Sequence, residues 1–154
     1  MHLNEIKPDA AFCDAGYGAA VIAVCNEQLG YNVRAVSFGG KSVLKNCFNK
    51  RAEMFYRLRE YLRNGGTLPD DPLLRQELNS IEIDVRQSDG GIIKLISKDI
   101  IRKKIGRSPG RADALALTFA MPVKKKDVED FFAYQARENR VNKFNNYDFL
   151  KLGR

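Results

Sequence analysis

The chain has 154 residues, of which 44% are apolar, and a net charge of +7. That is enough apolar material for one folded core and too much for a disordered chain. No apolar run approaches the roughly 18 residues that cross a bilayer, and the opening MHLNEIKPD is too mixed and polar for a secretion signal.

In chain order, Ala10–Cys13 reads as a short buried strand that ends in Asp14, with Gly16 and Gly18 in the turn behind it. AAVIAVCNEQL, 19–29, has helical length and is stopped by Gly30. NVRAVSF, 32–38, alternates as a strand, with Val33, Ala35 and Ser37 on one face and Arg34, Val36 and Phe38 on the other. A strand–helix–strand unit of this kind implies parallel strands. The spacing of Met54, Phe55, Leu58, Tyr61 and Leu62 predicts a helix over 49–63 with one apolar stripe, stopped at Asn64-Gly65-Gly66. Asp71-Pro72 reads as a cap and first helical position for PLLRQELN. IEIDVRQ, 81–87, alternates with Ile81, Ile83 and Val85 inward, and after Ser88-Asp89-Gly90-Gly91 the run IIKLI returns, which predicts a β-hairpin. Ser97 caps a basic helix, KDIIRKKI, stopped by Gly106; Ser108-Pro109 starts ADALALTFAM, apolar nearly all round and expected to be buried, ended by Pro122. The tail is expected to be helical to about Arg140 and irregular beyond it.

Cys13, Cys25 and Cys47 have no CxxC spacing and read as reduced intracellular thiols, not a disulfide framework or a zinc site. The sole histidine, His2, lies at the terminus and supports neither a triad nor zinc. From Lys94 to Lys126 ten Lys and Arg face two acids, Asp99 and Asp113, so this stretch holds the whole charge excess. It suits either phosphate neutralisation or a solvated face.

Asp14 ends a strand, where ligands of open α/β sheets bind. Asp113 falls in the first turns of an apolar helix. Two converging carboxylates repel, and a hard divalent cation relieves that repulsion and can support displacement at phosphorus. The plainer alternatives are that Asp14 accepts backbone hydrogen bonds in its turn and that Asp113 answers the helix dipole. A dinucleotide loop is set aside: the third fingerprint glycine falls on Val21, and 37–40 offers no acid for a ribose.

Taken together, DAGYGAAV, VSFGGKS, NKRAEMFYRLREYLRNGG, LRQEL and ISKDIIRKKIGRSPGRADALALTFAMPV resemble, in order and spacing from about Asp9 to Val123, the nuclease domain of the large terminase subunit of tailed bacteriophages. The resemblance implies an α/β, RNase H-like core of three α/β/α layers, with an inserted hairpin and a helical C-terminal tail. It implies an endonuclease that cuts concatemeric double-stranded DNA during packaging with Mg²⁺ or Mn²⁺, in the cytoplasm of a bacterial host. Asp14 and Asp113 fall on the family's catalytic metal ligands. Lys98, Arg102, Lys103, Lys104, Arg107 and Arg111 would lie along the DNA, with Lys98 near the scissile phosphate, while Arg51 and Glu53 would pair or pack structurally.

Two departures stand out. Gly110 stands where the family usually has an acid, and with only thirteen residues before Asp14 the family's first strands, its first catalytic aspartate and its packaging ATPase are expected to be absent from this chain. The expectation is a partial nuclease domain over 1–123 and a basic tail over 124–154, as a truncated prophage gene, part of a split gene, or a fragment. A sheet edge left open would invite pairing with a further copy. The expected partners are double-stranded DNA, the terminase ATPase region, the portal or the small terminase subunit, and no membrane. The competing expectation is a catalytically inactive DNA-binding or assembly module, or a prophage remnant.

Overall fold

The computed structural model describes residues 6–16, 18–84 and 89–124. They fall into two units, Ala10–Pro122 and the two ends, Met1–Asp9 with Val123–Arg154. In the second unit the described residues are 6–9 and 123–124, and Lys7 has a φ of 45°. The expected tail helix, His2, Lys125 and Lys126 lie outside the described residues. No helix among the described residues is long and apolar enough to cross a membrane.

The first unit begins with β1, Ala11–Asp14, followed by α1, Ala19–Ala23. The expected single helix over 19–29 does not stay α-helical, because Val24–Gln28 winds into a wider π-turn. That segment sets Asn26 against the start of β2, Val33–Val36: Asn26 Oδ1 accepts from Val33 N at 2.7 Å, and Nδ2 donates to Val33 O at 3.0 Å. β2 runs parallel to β1, with Ala11 opposite Val33 and Asp14 opposite Val36. Among the described residues the sheet has these two strands alone. The expected alternation along β2 gives way to burial at its two ends: Val33 and Val36 are buried, Arg34 and Ala35 exposed. Only the end carrying Val36 reaches the core.

Four helices follow. Asn49 caps α2, Lys50–Arg63, accepting from Ala52 N at 2.9 Å. Met54, Phe55 and Leu58 are buried as their spacing predicts, but Tyr61 and Leu62 are 42% and 38% exposed, since the last turn overruns the core. Asp71 caps α3, Pro72–Asn79, accepting from Leu73 N and Leu74 N. Ser97 caps α4, Lys98–Ile105, which Gly106 stops with φ 75°. α5 spans Gly110–Leu117, shorter than its apolar run. It buries Ala112, Asp113 and Ala116 while Ala114 stays exposed, so burial is one-sided and not all round. That side packs on α2, α3 and β1. The core gathers Val36, Met54, Phe55, Leu58, Leu74, Ala112, Ala116 and Ala120.

Between α3 and α4, Ile83 bridges Leu95 in antiparallel sense, with Asp84 N donating to Lys94 O at 2.7 Å and Ile96 N to Glu82 O at 3.0 Å. Residues 85–88 of the expected hairpin, Val85 and Ser88 included, lie outside the described residues, and Asp89–Gly91 forms a 3-10 turn. Ile83, expected inward, is 44% exposed and lines an open apolar groove against α2. The three cysteines are free thiols.

Candidate functional site

Asp14 closes β1, and its geometry comes from the turn behind it. Its Oδ1 accepts from Gly16 N at 3.0 Å, and its backbone carbonyl accepts from Gly18 N at 2.9 Å. Gly18 is required by space: a Cβ there would sit 2.3 Å from Cys13 Sγ and 2.4 Å from Asp14 O. At Gly16 the nearest atom to such a Cβ is Asp14 Oδ1, at an ordinary 3.5 Å. Asp14 is half-buried, and its Oδ2 makes no hydrogen bond among the described residues.

Asp113 stands on the buried side of α5 between two cations. Lys98 Nζ lies 2.8 Å from Oδ2, and Arg51 Nε lies 3.5 Å from Oδ1, an ion pair too long for a good hydrogen bond. Arg51 Nε and Nη2 and Asp113 Oδ1 are buried with no hydrogen-bond partner among the described residues. Arg51 Nη1 donates to Ile96 O at 3.1 Å, and the guanidinium stacks 5.3 Å from the Phe55 ring centroid. Burial lowers the Arg51 pKa below its ordinary value, and Asp113 opposes that shift. Lys98 Nζ also sits 4.5 Å from the Phe38 ring centroid, just past the end of β2.

The residues of NKRAEM therefore do different things. Arg51 meets the candidate site, while Glu53, fully buried, pairs with Lys50 and Arg57, each at 3.0 Å. Glu53 Oε2 also accepts from Val43 N at 2.9 Å and Ser42 Oγ at 3.1 Å, which holds the loop after β2 onto α2.

Most of the basic stretch is met by acids, several brought in from other parts of the sequence. Arg102 pairs with Asp99 at 3.4 Å, Lys104 with Glu82, Arg107 with Glu77 at 3.2 Å, and Arg111 with Asp71. Lys103 is exposed and makes no ion pair among the described residues. Glu77 is buried on α3, and its Oε2 accepts from Arg111 N at 2.8 Å and Ala112 N at 3.0 Å. It caps α5 from outside, where Pro109 offers no side-chain cap.

Sequence reasoning missed Arg51 and Glu77 as supports of Asp113. A signal was present, because each charge opposes its own helix dipole. Arg51 lies in the first turn of α2 and Glu77 in the last turn of α3. A charge in the wrong half of a helix needs a partner from elsewhere.

Carboxylate oxygens are the donors a hard divalent cation takes, but Asp113 Oδ1 is buried against Arg51 and its Oδ2 is held by Lys98. Of the two acids, Asp14 alone has an oxygen, Oδ2, with neither a hydrogen bond nor an ion pair among the described residues. Mg²⁺ uses one or two carboxylates and fills its other positions with water or phosphate oxygen. No group of three or more His, Cys, Asp or Glu is gathered for a metal among the described residues.

Neither protein-family models nor curated proteins give a match to the sequence. Solved structures do. The nuclease domain of the large terminase subunit gp2 of bacterial virus Sf6 is similar at TM-score 0.59 and 23% identity, over 79% of this chain and 69% of that one. Two structures of a lysine-to-alanine mutant of that subunit, one with calcium and one with manganese, have the same TM-score and identity over 78% of this chain and 68% and 69% of theirs. The likeness is one of fold.

Proposed function

We propose that the chain is the nuclease part of a phage DNA-packaging terminase, with an RNase H-like core over 1–123 and a basic tail over 124–154. The observation that supports this most is Asp113. An acid is buried on a helix that packs against the strand Asp14 ends, in a fold shared with a terminase nuclease. On this reading the substrate is double-stranded DNA in a bacterial host, with the terminase ATPase region, portal or small subunit as partners.

Asp14 and Asp113 would hold Mg²⁺ or Mn²⁺, as the manganese-bound similar structure suggests. Bound there, the ion supplies Lewis acidity toward a phosphodiester and an activated water. Gly16 N fixes one oxygen of Asp14 and leaves the other open. Arg51 orients Asp113 from the buried side. Lys98, one-third exposed on its long stem, has the reach to leave Asp113 and meet a phosphate oxygen.

A second reading has a specific observation in its favour. Asp113 is already balanced by two cations, and no third acid joins the pair among the described residues. That favours a module that binds DNA without cutting it, or one whose site is completed by a further segment.

A plasmid-nicking assay with Mn²⁺ separates the two. Cleavage by the parent that both Asp14→Ala and Asp113→Ala lose supports the nuclease. An inactive parent that still binds DNA supports the second reading. Cleavage that survives both variants overturns the assignment of the site.

A further inference from the structure

The charge along the sequence singles out Lys94–Lys126, yet in the fold Lys98, Arg102, Lys104, Arg107 and Arg111 are each met by an acid: Asp113, Asp99, Glu82, Glu77 and Asp71. A second basic stretch holds three cations with no such partner. Between Arg34 and Arg57 there are six Lys and Arg and a single acid, Glu53. Lys50 and Arg57 pair with Glu53 and Arg51 with Asp113, which leaves Arg34, Lys41 and Lys45 without an ion pair among the described residues. Lys41 and Lys45 are exposed and make no side-chain hydrogen bond or ion pair among the described residues.

These two lysines stand on a braced loop. Glu53 holds Ser42 and Val43 from beneath, Lys50 N donates to Gly40 O at 2.7 Å, and Phe48 N donates to Ile93 O at 2.9 Å. The brace leaves Val43 72% exposed, with its two basic neighbours facing solvent. The loop leaves the C-terminal end of β2, and the parallel pairing puts that end beside Asp14. Phe38, the residue before the loop, carries the ring that lies under Lys98.

Resting on the DNA-substrate reading above, we propose that the loop of residues 39–48 is the main docking surface for the duplex backbone, with Lys41 and Lys45 neutralising phosphates that flank the site. A rigid loop with uncompensated ammonium groups keeps a positive field where paired surface cations largely cancel theirs.

The test is duplex binding by the full chain, followed by fluorescence anisotropy of a labelled random-sequence DNA over a range of salt. Lys41→Gln/Lys45→Gln is expected to bind about tenfold more weakly near 0.1 M salt, with a log–log salt slope shallower by roughly two. Arg102→Gln/Lys104→Gln is expected to bind within about twofold of the parent, and Lys41→Arg/Lys45→Arg to match the parent. Unchanged melting temperatures establish that the folds are intact, since all four side chains are exposed. Parent-like binding by the glutamine loop variant overturns the proposal while leaving the DNA reading in place, and so does an equal loss in both glutamine pairs. A parent that binds no duplex even at low salt overturns the DNA reading, and this proposal with it.

Discussion

Glu77 caps the helix that carries Asp113, its Oε2 accepting from Ala112 N, one residue before Asp113, at 3.0 Å and from Arg111 N at 2.8 Å. A carboxylate from α3 thereby sets the start of α5. Glu77→Ala is expected to cost about 2 kcal/mol, from two helix-start amides left unmet, the buried one of Ala112 and the partly buried one of Arg111, and from Arg107 left unpaired. Glu77→Gln keeps an acceptor oxygen and is expected to lose about half as much. Urea unfolding of both variants checks this, and equal losses would place the effect in the charge alone.

The two glycines behind Asp14 are expected to behave differently. At Gly18 a methyl group meets backbone and sulfur at less than contact distance. Gly18→Ala is expected to destabilise by about 2 kcal/mol or more through forced backbone movement. Gly16→Ala meets ordinary contact only and is expected to stay within about 0.5 kcal/mol of the parent. Thermal melts of the pair decide it.

Glu53 gives the fold an acid limb. Burial raises its pKa, but hydrogen bonds from Lys50, Val43 and Ser42 outweigh burial and bring it below its ordinary 4.5. A carboxyl with a lowered native pKa contributes stability that is present above its unfolded pKa and lost as pH falls through the native one. Glu53→Gln is therefore expected to be less stable than the parent at neutral pH, with a flatter decline on acidification. Urea midpoints taken from neutral pH to about pH 3 read this directly, and parallel curves would refute it.

Arg51 and Asp113 are both at least nine-tenths buried as side chains. Removing one partner strands the other. Arg51→Met and Asp113→Asn are each expected to cost about 3 kcal/mol, and the double variant clearly less than their sum. A double-mutant cycle in urea measures the coupling; strict additivity would mean that Lys98 alone satisfies Asp113.

The local parts of this fold were legible and the assembled parts were not. Asp71 and Ser97 each cap the helix their positions announce, Asn49 caps a helix expected to include it, and the unit of β1, α1 and β2 is parallel as the pattern implies. Those features depend on neighbours in sequence. Arg51 reaching Asp113, Glu77 reaching α5 and Glu82 reaching Lys104 join residues 22 or more positions apart. Counting charge along the chain left Lys104, Arg107 and Arg111 without acids, and tertiary contacts supply Glu82, Glu77 and Asp71. Ile83 misled for a related reason: strand alternation marks a face, and only packing decides whether anything covers it.

Asn26 holds both backbone groups of Val33, the residue at which β2 begins. Every later pair along the ladder is counted from that clamp, down to Asp14 opposite Val36. A slip of one residue would turn each β2 side chain to the other face and carry Val36 out of the core. The phase of the candidate site is thus set at the opposite end of the strands, by an amide that no part of the site touches.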